Sequence, residues 1–171
     1  FDFNWFTPLH KNFTISQIFK MGVLDKIEKQ DGDRSIIPPS ARFVMGGTGI
    51  PYGEMLRGYT ENRVGPFGST RGGNVMLKYS LEFRLSLSAN PTIYALSFFD
   101  MGNVWSSFDI VDPFDLKRSA GIGVRVFIPM LGMLGYDVGY GFDATDYDTY
   151  YNNGIVEPHG WEYHLIFGMP F

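Results

Sequence analysis

Val75-Met76-Leu77-Lys78-Tyr79-Ser80-Leu81-Glu82-Phe83-Arg84-Leu85-Ser86-Leu87 decides the fold. Val75, Leu77, Tyr79, Leu81, Phe83, Leu85 and Leu87 fall on one face, and Met76, Lys78, Ser80, Glu82, Arg84 and Ser86 on the other. A period of two residues is the signature of a β-strand. Ordinary strands average about 5–6 residues, whereas a tilted strand crossing a hydrocarbon core needs about 9–11. This run is long enough for the second role, and its apolar face is continuous. It predicts a strand with one face on lipid and the other toward a polar interior.

The same alternation extends outward in both directions. Upstream, Phe1 to Thr7 and Phe13 to Met21 read as strands joined by the turn Pro8–Asn12, the second imperfect at Gln17 and Ile18. Downstream, Ser88–Pro91 is a tight turn into a strand from Thr92 to Trp105. A polar loop to Arg118 follows, then a strand with Ala120, Ile122, Val124, Val126 and Ile128 on one face. After the turn at 129–132, Leu134, Tyr136, Val138, Tyr140 and Phe142 oppose Gly135, Asp137, Gly139, Gly141 and Asp143. The small residues leave room for something to lie against that inner wall. Ala144 to Gly160 reads as a long polar loop. The last strand places Trp161, Tyr163, Leu165, Phe167, Met169 and Phe171 outward, with Glu162 and His164 inward.

Connections therefore alternate between short and long, the asymmetry of outer-membrane barrels, whose periplasmic turns are tight and extracellular loops extended. A soluble β-sandwich also shows period-two strands, but its strands are shorter. About seven strands are an odd number, and bacterial barrels close with an even one of at least eight. The chain also opens within a strand pattern. It is read as the C-terminal piece of a longer barrel protein.

Composition agrees. Aromatic residues make up 17% and glycines number 21, as aromatic girdles and barrel-wall glycines require. A net charge of −4 gives no basic field for nucleic acid. The absence of cysteine excludes disulfides and thiolate metal sites. No run approaches the roughly 18 apolar residues of a transmembrane helix.

Between the second and third strands, from about 22 to 73, alternation stops and glycine and proline accumulate. A loop of this length inside a compact domain is uncommon and usually functional. It carries Arg57. A lone loop arginine is by default solvated, but Glu82 and Asp100 point inward from neighbouring strands, and a guanidinium fork suits carboxylates. Gly58 permits a sharp turn, and Tyr59 would pack beside it.

Other chemistries lack their frames. Glu82 and Asp100 have no nucleophile beside them for acid–base work. Ser119-Ala120-Gly121 lacks a nucleophile elbow. His10, His159 and His164 show no metal spacing, and His164 reads as a lumen-facing or rim residue. Asp143, Asp146 and Asp148 lack the glycine and closing glutamate of a calcium loop. Gly46-Gly47-Thr48-Gly49 is not followed by the lysine of a phosphate loop. No catalytic residue, metal or cofactor is expected.

Three motifs, in order, resemble the BamA family of outer-membrane β-barrel assembly factors. Leu56-Arg57-Gly58-Tyr59 is similar to that family's Arg-Gly-aromatic loop motif, which more often has Val and Phe at its ends. Phe98-Phe99-Asp100-Met101-Gly102-Asn103-Val104-Trp105 is similar to its Phe-x-Asp-x-Gly strand motif, and Ser80-Leu81-Glu82-Phe83 to the strand supplying a second carboxylate. The run Phe167-Gly168-Met169-Pro170-Phe171 resembles its terminal insertion signal. The resemblance covers essentially the whole chain. It implies an all-β fold, the C-terminal seven or so antiparallel strands of a sixteen-stranded transmembrane β-barrel.

By the same resemblance, Arg57, Gly58, Tyr59, Glu82, Asp100 and Gly102 would form a lock between an extracellular loop and the lumen. Trp161, Tyr163, Leu165, Phe167, Gly168 and Phe171 would form the gate strand and insertion signal, with Pro170 weakening pairing at its end. The implied location is the cell outer membrane. Implied partners are outer-membrane lipid and lipopolysaccharide, unfolded β-barrel clients and accessory lipoproteins. The implied activity is insertion of clients by strand templating at a lateral gate. The alternatives are a two-partner secretion pore of the same superfamily and an outer-membrane barrel enzyme. The family's POTRA domains and first barrel strand have no counterpart in these residues.

Overall fold

The computed structural model describes residues 1–25, 37–66, 72–130 and 132–168. The fold is one all-β sheet of seven antiparallel strands in sequence order. These are β1 (Asp2–His10), β2 (Phe13–Val23), β3 (Val75–Ala89), β4 (Thr92–Trp105), β5 (Lys117–Ile128), β6 (Gly132–Gly141) and β7 (Gly160–Gly168). Every strand pairs with its chain neighbour, so the sheet is a meander with β1 and β7 at its two edges.

Side chains are distributed inside out. One face of the sheet exposes Phe13, Phe83, Ile122, Trp161, Tyr163 and Phe167. The other buries Ser16, Lys78, Ser80, Glu82, Asp100, Ser119, Arg125, Asp137 and His164. A water-soluble sheet would bury the first set and expose the second. Apolar residues outward and charges inward is the arrangement of a barrel wall in hydrocarbon. Among the described residues no helix is long and apolar enough to cross a membrane.

Several sequence expectations are corrected. Pro8, Leu9 and His10 belong to β1 rather than to a turn; Pro8 pairs with Thr14, and the register shifts only between Pro8 and His10. Proline is tolerated there because it stands at that register shift, where the ladder is already interrupted. β2 is the expected strand, and the imperfect alternation at Gln17 and Ile18 leaves its pairing with β3 unbroken from Phe13 to Val23. Gln17 lies on the outward face, and its Oε1 accepts a hydrogen bond from Tyr79 Oη at 3.0 Å. Val75 is buried despite its outward register, flanked by Val23 and Trp105.

The segment after β6 is not a featureless loop. It contains helix α1 (Asp146–Tyr151), started by a capping box in which Thr145 Oγ1 accepts from the Asp148 N–H and Asp148 accepts from the Thr145 N–H. Two reciprocal bonds satisfy donors that a six-residue helix would otherwise leave open.

The main apolar core is not between two sheets. It lies between the β2–β3 loop and the inner wall, where Met45, Leu56, Tyr59 and Val64 of the loop pack with Met76 of β3 and Val104 of β4, and Phe43 packs against the group. Short bridges hold the loop's own shape: Met45 pairs with Glu54 and Val64, Gly47 with Leu56, and Phe43 with Gly73. The described residues of this connection thus form a compact plug.

Candidate functional site

Arg57 sits where that plug meets the wall, with 1% of its surface exposed. Its Nε donates to Asp100 Oδ2 at 2.7 Å and its Nη2 to Asp100 Oδ1 at 2.8 Å, a parallel two-bond fork. Its Nη1 lies 2.7 Å from Glu82 Oε1 and 3.6 Å from Asp137 Oδ2. Neither approach has hydrogen-bond geometry, so both act as charge contacts. The guanidinium carbon lies 3.9 Å from the centroid of the Phe98 ring, a cation–π stack that covers its remaining face. Burial works against the Arg57 charge. The Asp100 carboxylate, in charge and hydrogen bonds, outweighs it with help from Glu82 and Asp137, and the guanidinium is held charged beyond its ordinary range.

The neighbouring residues explain the motif. Gly58 has φ of +80°, and a Cβ there would stand 2.8 Å from Ser119 Cβ and 3.1 Å from the Tyr140 carbonyl carbon. Glycine is therefore required for both conformation and space. Its approach is matched on β6, where a Cβ at Gly139 would lie 2.8 Å from the Gly58 nitrogen. The room left by the small residues of β6 is filled by the chain's own loop. Tyr59 is fully buried and its hydroxyl donates to the Arg118 carbonyl at 2.7 Å; burial pushes that phenol upward. Gly102 faces the plug, and a Cβ there would meet Met45 Sδ at 2.8 Å.

Several residues of this site carry no motif. Asp137 on β6 is fully buried and paired with Arg125 on β5, and it extends the charge network beneath Arg57. Inner-face glycines lie in register beside this pair, Gly123 opposite Asp137 and Gly135 opposite Arg125; charge facing glycine across two strands was the available signal. Glu82 is shared, bonding Arg84 at 2.8 Å as well as facing Arg57. His164 of β7 accepts from the Gly58 N–H at 2.9 Å. Thr60 donates its N–H to His159 Nε2 at 3.1 Å and its hydroxyl to Glu162 at 2.7 Å. Farther out, the Glu61 carboxylate accepts from the Thr48 N–H and hydroxyl and the Gly49 N–H. The loop tip therefore touches strands β3 to β7.

Beside the tip is a cavity of about 470 Å³, lined among others by Lys20, Glu54, Lys78, Glu82, Arg84 and Arg125. Lys78 is buried, with Glu54 3.8 Å away. The acidic residues after β6 do not converge: Asp143 pairs with Arg118, and Asp148 caps α1 and contacts His159 Nδ1 at 2.7 Å. Among the described residues no group of three or more His, Cys, Asp or Glu side chains could hold a metal ion.

On β7, Trp161, Tyr163, Leu165 and Phe167 are exposed on the outward face. Gly168 is still within the ladder, opposite Met133. Met169, Pro170 and Phe171, the end of the expected insertion signal, lie outside the described residues.

An apolar exterior, a charged interior and an inserted loop held by a buried arginine define a portion of a transmembrane-type β-barrel wall with an internal plug. The chain belongs to the Omp85 superfamily: the model of the Omp85 superfamily domain matches residues 1–165. Its fold is similar to the crystal structure of BamA from Haemophilus ducreyi lacking POTRA domains 1–3, with a TM-score of 0.70 and 18% identity. The match covers 96% of this chain and 33% of that one, so the chain spans about a third of the length of the BamA chain it matches. No curated protein matches it.

Proposed function

We propose that this chain is the C-terminal part of an outer-membrane barrel that inserts and folds other β-barrel proteins, without ATP or covalent catalysis. Membership of the Omp85 superfamily and the BamA-like fold support this reading. The observation that carries it is the Arg57 anchor. A loop between two wall strands is drawn inside and fixed by Asp100 and Glu82, which ties the loop to the barrel wall.

In this reading the β2–β3 loop is extracellular and enters the lumen, and strands and POTRA domains outside this chain complete the protein. Arg57, Gly58, Tyr59, Glu82, Asp100 and Gly102 are the lock. Strand β7 is one side of a lateral gate, with Trp161, Tyr163, Leu165 and Phe167 in outer-membrane lipid and lipopolysaccharide beside it. The free side of β7 near Gly168 would pair poorly with the first strand of the full-length protein. A client strand pairs with exposed backbone groups at that edge, which lowers the cost of bringing unpaired backbone into lipid. Accessory lipoproteins would act on the parts outside this chain.

The test is a reversible cross-link. Cysteine pairs joining β7 to the first strand of the full-length protein should stop client insertion when oxidised and restore it when reduced. Normal insertion by the locked protein would overturn the gate. Export of a soluble client through the oxidised protein would favour a secretion pore instead.

A further inference from the structure

Resting on the reading of Arg57 as a lock and β7 as a gate strand, we propose that His164 is the positioning residue that joins them. It accepts the Gly58 N–H and thereby fastens the residue after Arg57 to the inner face of the last strand.

The geometry is specific. Gly58 lies against the face of β6, whose backbone groups are already taken by β5 on one side and β7 on the other. The loop's N–H cannot join that ladder as another strand would. A buried N–H without an acceptor is costly, so a wall side chain has to supply one. His164 Nε2 does so at 2.9 Å, and the residue is 5% exposed.

Charge explains why the acceptor is an imidazole. His164 stands directly opposite Asp137 in the β6–β7 register. Glu162 on its own strand and Glu61 and Arg57 on the loop also act on it. Another carboxylate at this point would add a buried negative charge beside Asp137, whereas a neutral imidazole accepts the hydrogen bond and adds none. To accept, Nε2 must be unprotonated and the ring proton must sit on Nδ1. Once the ring is protonated, an N–H faces an N–H and the contact is lost.

A companion contact lies at His159, which takes the Thr60 N–H. His159 differs in one respect. Asp148 at its Nδ1 and Glu162, 3.2 Å from its Nε2, give a protonated ring two acceptors, with Tyr59 stacked beside it. Protonation there exchanges partners instead of leaving two donors facing each other. The discriminating position is therefore His164.

The experiment measures amide exchange of the 56–60 segment in the full-length protein in lipid bilayers, corrected for intrinsic exchange. His164→Ala should raise exchange about tenfold, the loss of one buried hydrogen bond. His164→Gln places an amide oxygen near the former Nε2, so its protection should persist at the wild-type level. Wild-type-like exchange in His164→Ala would overturn the proposal, as would exchange in His164→Gln raised about tenfold over the wild type. The second comparison decides even where the alanine variant fails to fold. Exchange decides the role of His164, and client insertion by the cross-linked protein separately decides the gate.

Discussion

The two sides of the loop tip are held by different physics. Toward β3 and β4, Arg57 is fixed by charge: a bidentate bond to Asp100, a contact with Glu82 and a stack on Phe98. Toward β6 and β7, Gly58 and Thr60 are fixed by close approach to glycine and by hydrogen bonds to two histidines. The first side is strong, stays charged at any physiological pH, and is badly damaged by loss of one partner. The second depends on the absence of a side chain and on neutral ring nitrogens as acceptors. The second side is the one bound to β7, through His164.

Breaking the charged side should have the largest effect. Asp100→Ala leaves Arg57 with Glu82 and Asp137 only, without a bidentate partner. The expected loss is about 3 kcal/mol of stability, the low end for breaking a buried pair because Glu82 remains. Denaturant unfolding of the lipid-embedded full-length protein measures it, and a loss below about 1 kcal/mol would place the strength elsewhere.

Filling the glycine side should cost less. Gly139→Val drives a branched side chain into the Gly58 backbone, which already stands 2.8 Å from an added Cβ. About 1–3 kcal/mol is expected, as for overpacking elsewhere, with exchange rising at 56–60. Stability equal to the native protein would mean that the loop does not rest on β6.

Acid gives the smallest effect. Burial works against the Asp148 charge, but the Thr145 N–H and hydroxyl and His159 outweigh it, so its carboxyl is held below the usual range. Its folded value lies below its unfolded one of about 3.9. Its contribution to stability is therefore complete above about pH 4 and lost as pH falls through the lower folded value. On acidification the α1 amides should therefore lose protection only below about pH 4, read by amide exchange. Loss that is complete well above about pH 4 would show that Asp148 does not hold the helix start.

Much of this was legible before any coordinates. Period two in β3, β5 and β6 assigns every residue to a face, and the inward Glu82 follows from it. Asp100 lies on β4 and is reached through its Phe-x-Asp-x-Gly motif, and the structure sets Arg57 against both. What was not legible depends on tertiary placement. Pro8 reads as a turn residue until its pairing with Thr14, beside a register shift, is known. Helix α1 is too short for an amphipathic pattern, and its Thr145-x-x-Asp148 box lies within a polar run that reads as loop. His164 reads as a lumen residue, but its partner is a backbone N–H far away in sequence, and backbone donors leave no trace in residue pattern. The pairing of Asp137 with Arg125 needed the β5–β6 register, which fixes the glycines across from each.

The most direct test of the anchored loop is a double-mutant cycle on Arg57→Ala and Asp100→Ala, read from unfolding of the full-length protein in lipid. A buried pair that shares one network should be strongly non-additive, with a coupling of about 2 kcal/mol or more, because removing the second partner costs little once the first is gone. Additive losses, within about 0.5 kcal/mol, would contradict the account: Arg57 and Asp100 would then not hold the loop to the wall together.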